Sequence, residues 1–568
     1  MKLLIQEYLR GLKERGELDV MLPDVLSELG FNIISRPAVG VRQYGVDVAA
    51  VGLDSNGVES VFLFSIKSGD LNRTEWCDNS IQALRPSLEQ VRDAFIPNLI
   101  PRQYQNLPII IVLTLGGEVH QGVQMEVNGY LKTNATKDIA YQIWNGDKLS
   151  ELLMTGILGA ELMPEKCRSE FRKSIALIDE PEASVEYYRA LLERLTNGVS
   201  KRQKDRILVA RQINLCLWIL YVWSRETGDD GNLEAPYLAS ELSLLYVWKL
   251  ASPFIARKTK QGSAMSHAID NILALHVSIS MELSEKYLKH ASTMHGLSSA
   301  VRSSESIDIN RKLFEILGRL SLCGIWVHFL AKRQSDAPEE LESQYIETLD
   351  KLSTGLADLI NNNPVLSLPL EDRQSTDISL ACIYLRSQGL QLFIGDWISQ
   401  IVQSVALAVA NNTRYPCCLS QYRDLLDHPK SSDKEYFEEA TVASILHPTL
   451  ALWIQITGNT DALQLLADLL ANRFEHTTLQ LWVIGDDSEE FIYDDSGPHG
   501  FGLTGFNISA DGGNLVQIVE EECANHSRFK SLSAVSMGAW PIPLVACRHY
   551  QLPIPPDYFM PISDKAEV

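Results

Sequence analysis

Residues 1–152 alternate between helical and strand-like patterns of hydrophobic and polar positions, which predicts a mixed α/β region. The opening segment has a helical period. A second helix is predicted over Leu18–Leu29, because Gly30 is a common residue at helix C-termini. Branched and apolar residues predict strands over Phe31–Ser35, Gly45–Gly52, Ser60–Lys67, Leu107–Leu115 and Ala140–Trp144.

The connections indicate how these elements assemble. The turn-forming segment Asp54–Gly57 predicts a hairpin between the second and third strands. The run Leu107–Leu115 is apolar almost throughout, as in a strand buried on both faces. Helices are predicted over Asn79–Phe95, with an interruption at Pro86, and over Asp147–Met154. This order favours a mixed sheet with helices on its faces.

From about Pro181 the pattern changes to long helical stretches in which leucine and aromatic residues recur on one face. The predicted helices are Val185–Leu195, Arg206–Glu226, Ala235–Leu250, Ala264–His290, Ile309–Lys332, Leu341–Ile360, Ile378–Ala410, Tyr436–Gly458 and Asp461–Asn472. No fixed repeat length is present, so the pattern predicts an irregular helical array.

Near Thr477 the pattern changes again. Strands are predicted over Leu479–Ile484, Glu490–Tyr493 and Gly502–Ile508, followed by a helix over Gly513–Cys523 and an extended proline-rich tail over residues 541–559. The sequence thus predicts an α/β domain over residues 1–155, a mainly α-helical domain over 181–475 and a small α+β C-terminal region over 477–568.

Composition and charge restrict the class of protein. Hydrophobic residues make up 45% of the chain and charged residues 21%, as in soluble globular proteins. The formal net charge of −22 repels a phosphate backbone at long range, although salt screening still permits a local basic groove. This acidic surface fits solubility alone, and it also fits a basic protein partner.

The cysteines and the start of the chain indicate the compartment. The 9 cysteines form no CxxC pair, so neither a zinc site nor a disulfide framework is expected. The first residues lack the apolar core of a signal peptide. The most apolar short run, Leu215–Trp223, is shorter than the ~20 residues that a membrane span needs. We expect a cytoplasmic protein without a membrane partner.

One pair of residues has the chemistry expected of a metal-dependent hydrolase. A magnesium-dependent hydrolase needs carboxylate ligands for the ion and a cation that stabilises charge on the phosphate. Asp47 lies on the first strand of the predicted hairpin and Lys67 ends the second, so antiparallel pairing brings the two side chains together. Ser65 lies two positions before Lys67 and therefore on the same face.

These segments resemble the core of the PD-(D/E)XK nuclease superfamily, in particular the Mrr-like restriction endonucleases. The resemblance is carried by GVDVAAVG from Gly45, VFLFSIKSG from Val61, LDVMLPDVLSELGFNII from Leu18 and YQIWNGDKLSELL from Tyr141. In that family an Asp begins one strand, a (D/E/Q)-x-K motif ends the next, and the preceding helix often carries an acidic residue. The resemblance covers roughly residues 15–155 and implies a restriction-endonuclease-like fold.

The resemblance also implies roles for individual residues. Asp47 would be the main ligand of a Mg²⁺ or Mn²⁺ ion, and the backbone carbonyl of Ile66 would be a second ligand. Lys67 would activate the water and stabilise charge. Asp19 would complete the site directly or through water, with Glu28 on the same helix as the alternative.

Ser65 departs from the family pattern, because it stands where the family has Glu, Asp or Gln. A hydroxyl is a neutral and weaker ligand, so the site loses a charge. Either another carboxylate substitutes, from Asp19, Glu28 or Asp70, or the domain binds DNA without cutting it.

Polar and basic residues also lie near the Asp47–Lys67 pair in the sequence. Arg42 and Gln43 precede the Asp47 strand and Arg73 follows Lys67, so these three side chains are candidates for phosphate contacts, although a solvated surface explains any single arginine better. The chain contains neither a GxxxxGK[ST] motif nor a GxSxG motif, which argues against a P-loop ATPase and an α/β-hydrolase.

The leading hypothesis is a metal-dependent endodeoxyribonuclease that acts on foreign DNA, such as phage or plasmid DNA, in antiviral defence. The rival hypothesis is an inactive nuclease-like scaffold that binds DNA or protein subunits in a multisubunit defence complex. The sequence does not separate DNA from RNA as the substrate. By analogy with the family, a homodimer is a further expectation.

Overall fold

In a computed structural model, the protein is described over residues 2–35, 44–77, 83–155, 165–226, 232–255, 260–301, 303, 305–333, 339–509 and 515–559. Contacts within the chain divide it into two compact units. The first is Met1–Ala239 with Arg257–Ile272, and the second is Ser240–Ala256 with Leu273–Val568. The domain boundaries near residues 155, 181 and 475 stay predictions.

The first unit contains a five-stranded sheet in the order β1-β2-β3-β4-β5. The strands are β1 Asn32–Ser35, β2 Val48–Leu53, β3 Glu59–Lys67, β4 Ile109–Leu115 and β5 Ile139–Trp144. β2 pairs antiparallel with β1 and with β3, whereas β3, β4 and β5 run parallel to one another. The mixed sheet predicted from the sequence is therefore confirmed.

Local chemistry explains the hairpin and the central strand. The carboxylate Oδ1 of Asp54 accepts hydrogen bonds from the backbone N–H groups of Asn56 and Val58, both at 2.8 Å, and Gly57 supplies a positive φ of 76°. These contacts close the turn between β2 and β3. Every residue of β4 is buried, as its unbroken apolar sequence predicted.

Helices accompany the sheet in the first unit. They are α1 Lys2–Gly11, α2 Asp19–Glu28, α3 Arg73–Cys77, α4 Leu84–Gln90, α5 Ile96–Leu99, α6 Gln121–Asn134 and α7 Gly146–Thr155, with π-helical turns at Glu14–Leu18 and Val91–Phe95 and a 3-10 turn at Arg102–Tyr104. One core joins alternate strand residues such as Leu63 and Ile111 to Trp76 and Leu88. A group of aromatic rings outside this core, which includes Phe62 and Trp144, packs together.

Two features of this region differ from the prediction. Helix α6 was not predicted, because its sequence is polar, contains Gly129 in its interior and buries only Val123 and Val127. Helix α4 begins at Leu84, so Pro86 lies in its first turn, where proline is tolerated, and does not interrupt a helix. The irregularity is instead the π-helical turn that follows α4.

The large helical region is confirmed. Its helices are α8 Glu165–Ala176, α9 Pro181–Thr196, α10 Gln203–Glu226, α11 Glu234–Ile255, α12 Lys260–Ala291, α13 Gly296–Ala300, α14 Ser306–Arg333, α15 Glu339–Asn362, α16 Ser375–Ser387, α17 Gln391–Ala410, α18 Tyr422–Asp427, α19 Lys434–Ala440, α20 Leu446–Thr457 and α21 Thr460–Arg473, with 3-10 turns at Pro364–Ser367 and Asp372–Gln374. The predicted helix Ile378–Ala410 is two helices, because Gly389 adopts a φ of 78° between them. The predicted helix Tyr436–Gly458 is divided by the short strand β6, Ala443–Ser444.

The C-terminal residues combine short strands and helices. The elements are β7 Thr478–Leu479, β8 Leu481–Val483, α22 Ser488–Phe491, β9 Phe501–Leu503, α23 Leu515–His526, α24 Ser533–Ser536 and α25 Pro541–Tyr550, with 3-10 turns at Phe529–Ser531 and Pro556–Tyr558. The predicted strand Glu490–Tyr493 is wrong, since short apolar runs fit a helix as well as a strand. The prediction of an extended tail is also wrong: Pro541 and Pro543 lie in the first turn of α25, where a missing N–H costs nothing.

Three helices are long and apolar enough to cross a membrane by length and composition alone. They are Gln203–Arg225, Ser306–Arg333 and Gln391–Ala410, and 89%, 83% and 50% of their most apolar windows are buried within the protein. The sequence prediction had considered only the shorter run Leu215–Trp223 within the first of them. The cytoplasmic location stays a prediction.

Candidate active site

Asp47 lies at the start of β2, in a turn that glycine makes possible. Gly45 adopts a φ of 79°, and a Cβ at this position would lie 2.2 Å from the carbonyl oxygen of Ser87 on α4. The turn therefore packs directly on α4. The N–H of Asp47 donates to the Phe64 carbonyl at 2.9 Å, which attaches Asp47 to β3.

The backbone of β3 meets the Asp47 carboxylate. The N–H of Ile66 donates to Oδ2 of Asp47 at 2.8 Å. Successive residues of a strand direct their N–H and C=O groups to opposite neighbours. Phe64 faces β2, and the carbonyl of Lys67 faces the other way, where it accepts from the N–H of Gly116. The carbonyl of Ile66 therefore lies on the same side of β3 as Asp47, and its role as a metal ligand stays a prediction.

Lys67 is the last residue of β3, and its ammonium group is paired. Nζ of Lys67 lies 2.8 Å from Oε2 of Glu14, in the π-helical turn before α2, and both side chains are largely shielded from solvent. Glu14 was not predicted as a site residue. The only sequence signal was a carboxylate one and a half helical turns before Asp19, inside a charged stretch that suggested an exposed helix.

Asp19, the predicted third acidic residue, is the first residue of α2 and is buried. Burial is the largest cause that raises the pKa of Asp47, which reaches about 6. The hydrogen bond from Ile66 and the charge of Lys67 lower it, whereas the charges of Glu14 and Asp19 raise it. Lys67, Asp19 and Glu14 are thus close enough to Asp47 for their charges to affect it.

Ser65 has a structural contact. It is buried in β3, and its hydroxyl donates a hydrogen bond to the carbonyl of Gly45. This contact connects the strand to the turn that precedes Asp47. The hydroxyl therefore helps to fix the position of Asp47, and its proton is engaged by the backbone.

The two other carboxylates considered as substitutes for Ser65 have different partners. Glu28 forms an ion pair with Arg211 of α10. Asp70 accepts a hydrogen bond from the N–H of Glu118 at 2.7 Å and lies 3.7 Å from Nε of Arg10. Of the three candidates Asp19, Glu28 and Asp70, Asp19 is the one whose charge affects Asp47.

The structure describes one of the three residues predicted to contact phosphate. Arg42 and Gln43 lie outside the described residues. Arg73 lies at the start of α3 with an exposed side chain, 3.8 Å from Oε1 of Glu126. Its exposure leaves it accessible to a ligand, and its role in nucleic-acid binding stays a prediction.

The donor atoms suit a hard divalent cation, because they are carboxylate and carbonyl oxygens. Within the described part of the chain, no three His, Cys, Asp or Glu side chains are gathered closely enough to hold a metal ion. The carboxylate of Asp47 accepts from the N–H of Ile66, and the carboxylate of Glu14 pairs with the ammonium of Lys67.

Comparisons with protein-family profiles, with curated proteins and with solved structures gave no match to this chain. The chemistry of the candidate site is therefore inferred from its own residues. They combine a desolvated carboxylate, two further carboxylates nearby and a lysine at the ends of two paired strands. Perturbed pKa values of this kind concentrate at functional sites.

Proposed function

We propose that this protein is a metal-dependent endodeoxyribonuclease of the PD-(D/E)XK type, a cytoplasmic effector that acts on foreign DNA. The observation that carries the proposal is the arrangement of Asp47 and Lys67 at adjacent ends of β2 and β3, with Glu14 and Asp19 beside them. The same groups are those that phosphodiester hydrolysis requires.

Each residue has a role in this proposal. Asp47 and the carbonyl of Ile66 would hold a Mg²⁺ or Mn²⁺ ion, and Asp19 and Glu14 would add the negative charge that a divalent cation needs. A bound ion supplies a water of lowered pKa and neutralises charge on the phosphate. Lys67 would stabilise the negative charge that develops on the scissile phosphate.

The first experiment incubates the full-length protein with supercoiled plasmid, linear duplex DNA, single-stranded DNA and RNA, in Mg²⁺, Mn²⁺ or EDTA. We expect metal-dependent cleavage that Lys67→Ala abolishes. Lys137→Ala is the matched control, because Lys137 is exposed and precedes β5, at the sheet end opposite Lys67. Cleavage that persists in Lys67→Ala would show that another site acts.

Ser65 favours a second candidate function. Its hydroxyl replaces a ligand of the family pattern and is hydrogen-bonded to the Gly45 carbonyl. In this alternative, the domain is a nuclease-like scaffold that binds DNA or protein subunits without cutting. Metal-dependent thermal stability separates the two, since a working site gains stability when millimolar Mn²⁺ binds the folded state and an inactive scaffold does not.

A further inference from the structure

Residues 14–28, here named the acidic segment, comprise the π-helical turn and helix α2. Their carboxylates are Glu14, Glu17, Asp19, Asp24 and Glu28. Glu14 and Asp19 belong to the candidate site. Each of the other three pairs with an arginine of helix α10. The segment therefore has one set of carboxylates for the site and another for its own attachment.

One attachment lies next to the site. Glu17 is almost fully buried, and its Oε2 lies 3.3 Å from Nη2 of Arg225. The guanidinium of Arg225 also stacks over the ring of Tyr221, 4.3 Å from its centroid, which fixes its orientation. Because Glu17 and Glu14 share the same short π-helical turn, this ion pair holds the turn that delivers Glu14 to Lys67.

The second attachment lies at the other end of the acidic segment. Arg211 forms an ion pair with Glu28, and its Nε lies 3.7 Å from Oδ1 of Asp24. Oδ2 of Asp24 accepts a hydrogen bond from the side-chain amide of Asn271 at 3.0 Å. The side chains of Arg211, Asp24 and Glu28 are all close to nine-tenths buried, so solvent screens these pairs weakly.

These attachments fix both ends of the acidic segment. Arg211 and Arg225 are separated by roughly 21 Å along α10, at 1.5 Å of rise per residue. The early residue of the segment pairs with the later arginine, so the segment runs antiparallel to α10. We propose that α10 is a clamp that positions Glu14 and Asp19 at the candidate site, with Arg225 as the principal positioning residue. This inference rests on the proposed function, because it concerns the same site.

Loss of Arg225 has a defined physical consequence. Among the described residues, Glu17 would keep the backbone N–H of Lys13 at 2.8 Å, but the nearest positive charge would be the exposed ammonium of Lys13 at 3.9 Å. The π-helical turn would then relax toward solvent and carry Glu14 with it. Groups that orient metal ligands from behind typically contribute about 10–100-fold to metal affinity, so we expect at least a roughly tenfold loss in Arg225→Gln.

The experiment titrates the full-length protein with Mn²⁺ by thermal shift and compares Arg225→Gln with Arg225→Lys. Lysine retains the charge, so it should restore much of the affinity that glutamine loses. The control is Arg194→Gln, which removes an arginine that pairs with Glu170 elsewhere in the first unit, at 3.8 Å. Hydrogen exchange of peptides covering residues 12–20 is measured on the same variants without metal.

The outcomes separate the clamp from the nuclease proposal. Weaker Mn²⁺ binding and faster exchange in Arg225→Gln, with neither in Arg194→Gln, support the clamp. If the wild type binds Mn²⁺ and Arg225→Gln binds it equally well, the clamp is overturned and the proposed function stands. If the wild type binds no Mn²⁺, the metal site fails, and unchanged exchange over residues 12–20 would then overturn the clamp as well.

Discussion

Burial makes the charged form of Asp47 costly for the stability of the folded protein. Its carboxylate is buried, and the charges of Glu14 and Asp19 oppose its ionisation. Among the described residues, the N–H of Ile66 and the charge of Lys67 favour the charged form. A residue selected only for stability would not be charged in this position. The cost is understandable if a cation binds the site, since the cation would remove the repulsion between Asp47, Glu14 and Asp19.

We expect Asp47→Asn to stabilise the metal-free protein above pH 6. The folded-state pKa of Asp47, about 6, lies above its ordinary value of 3.8, so the wild type loses stability as the pH rises through this window. Asparagine stays neutral and still accepts from Ile66. The gain should approach about 3 kcal/mol at pH 8 and vanish below pH 4. Thermal unfolding in EDTA across this range measures it, and a constant difference would contradict the account.

Glu14 and Glu28 should respond differently to the same substitution. Glu14→Gln removes a carboxylate of the site, so we expect weaker Mn²⁺ binding. Glu28→Gln leaves Arg211 without its closest anion, so we expect a loss of stability of about 1–3 kcal/mol. Its loss of Mn²⁺ binding should be smaller than that of Glu14→Gln, because the Arg225–Glu17 ion pair still holds the turn that carries Glu14. Thermal shifts with and without Mn²⁺ measure both effects, and an equal loss of binding would refute the assignment of Glu28.

The sequence indicated part of this site. Asp47 and Lys67 were predicted to be neighbours because they lie at defined positions of two strands, and strand pairing brings such positions together. Asp19 was proposed because the resemblance implies an acidic residue on the preceding helix. Glu14 was missed because a π-helical turn directs its side chain to Lys67, and no periodicity reveals such a turn. The partner of Glu28, Arg211, is too distant in sequence to be inferred.

At the scale of elements, the turn before β2 determines where Asp47 lies. Gly45 allows this turn to adopt a positive φ and to contact the backbone of Ser87. The hydroxyl of Ser65 then attaches the turn to β3. A loop, a strand and a helix are thus joined at one point, directly before the residue proposed to bind the metal.

We therefore expect Gly45→Ala to destabilise the protein by about 2–4 kcal/mol, through backbone strain and a collision with Ser87. Gly57→Ala is the matched control. Its φ of 76° is similar, but no atom lies within 4 Å of the added methyl group, so it should cost only about 1 kcal/mol. Denaturant unfolding measures both. Equal costs for the two variants would show that the contact with Ser87 is unimportant.

The elements predicted correctly are those with strong local patterns. The five strands of the sheet have continuous or alternating apolar residues, and the long helices have a wide apolar stripe. Helix α6 was missed because it buries little, and α25 was read as extended because of its prolines. The prolines of α25 lie in its first turn, where a helix tolerates them, and burial of the following residues stabilises the helix.

At the scale of the whole molecule, the candidate site lies in the first unit, and the second unit has its own buried ionic centre. Glu241 is fully buried and is bound by Arg548 and His549. Burial would raise the pKa of Glu241, but Arg548 and His549 outweigh it and lower the pKa to about 2. This centre attaches the C-terminal helix α25 to α11.

We expect Glu241→Gln to destabilise the second unit without affecting metal binding. Arg548 would remain buried without its anion, at a cost of about 3–5 kcal/mol near pH 7. Because the folded-state pKa of Glu241 is depressed, the wild-type advantage is present above pH 4.5 and declines as the pH falls toward 2. Thermal unfolding with and without Mn²⁺ measures this, and a changed Mn²⁺ response would contradict the assignment of the site to the first unit.

The rate at which the protein nicks or linearises supercoiled plasmid in Mg²⁺ or Mn²⁺ tests the proposed nuclease activity directly. Wild type, Asp47→Asn, Lys67→Ala and the exposed control Asp138→Asn, at the opposite end of the sheet, are compared at equal concentration. We expect cleavage by the wild type and the control, none by the two site variants and none in EDTA. Cleavage by Asp47→Asn at the wild-type rate, or no cleavage by any of the proteins, would contradict this expectation.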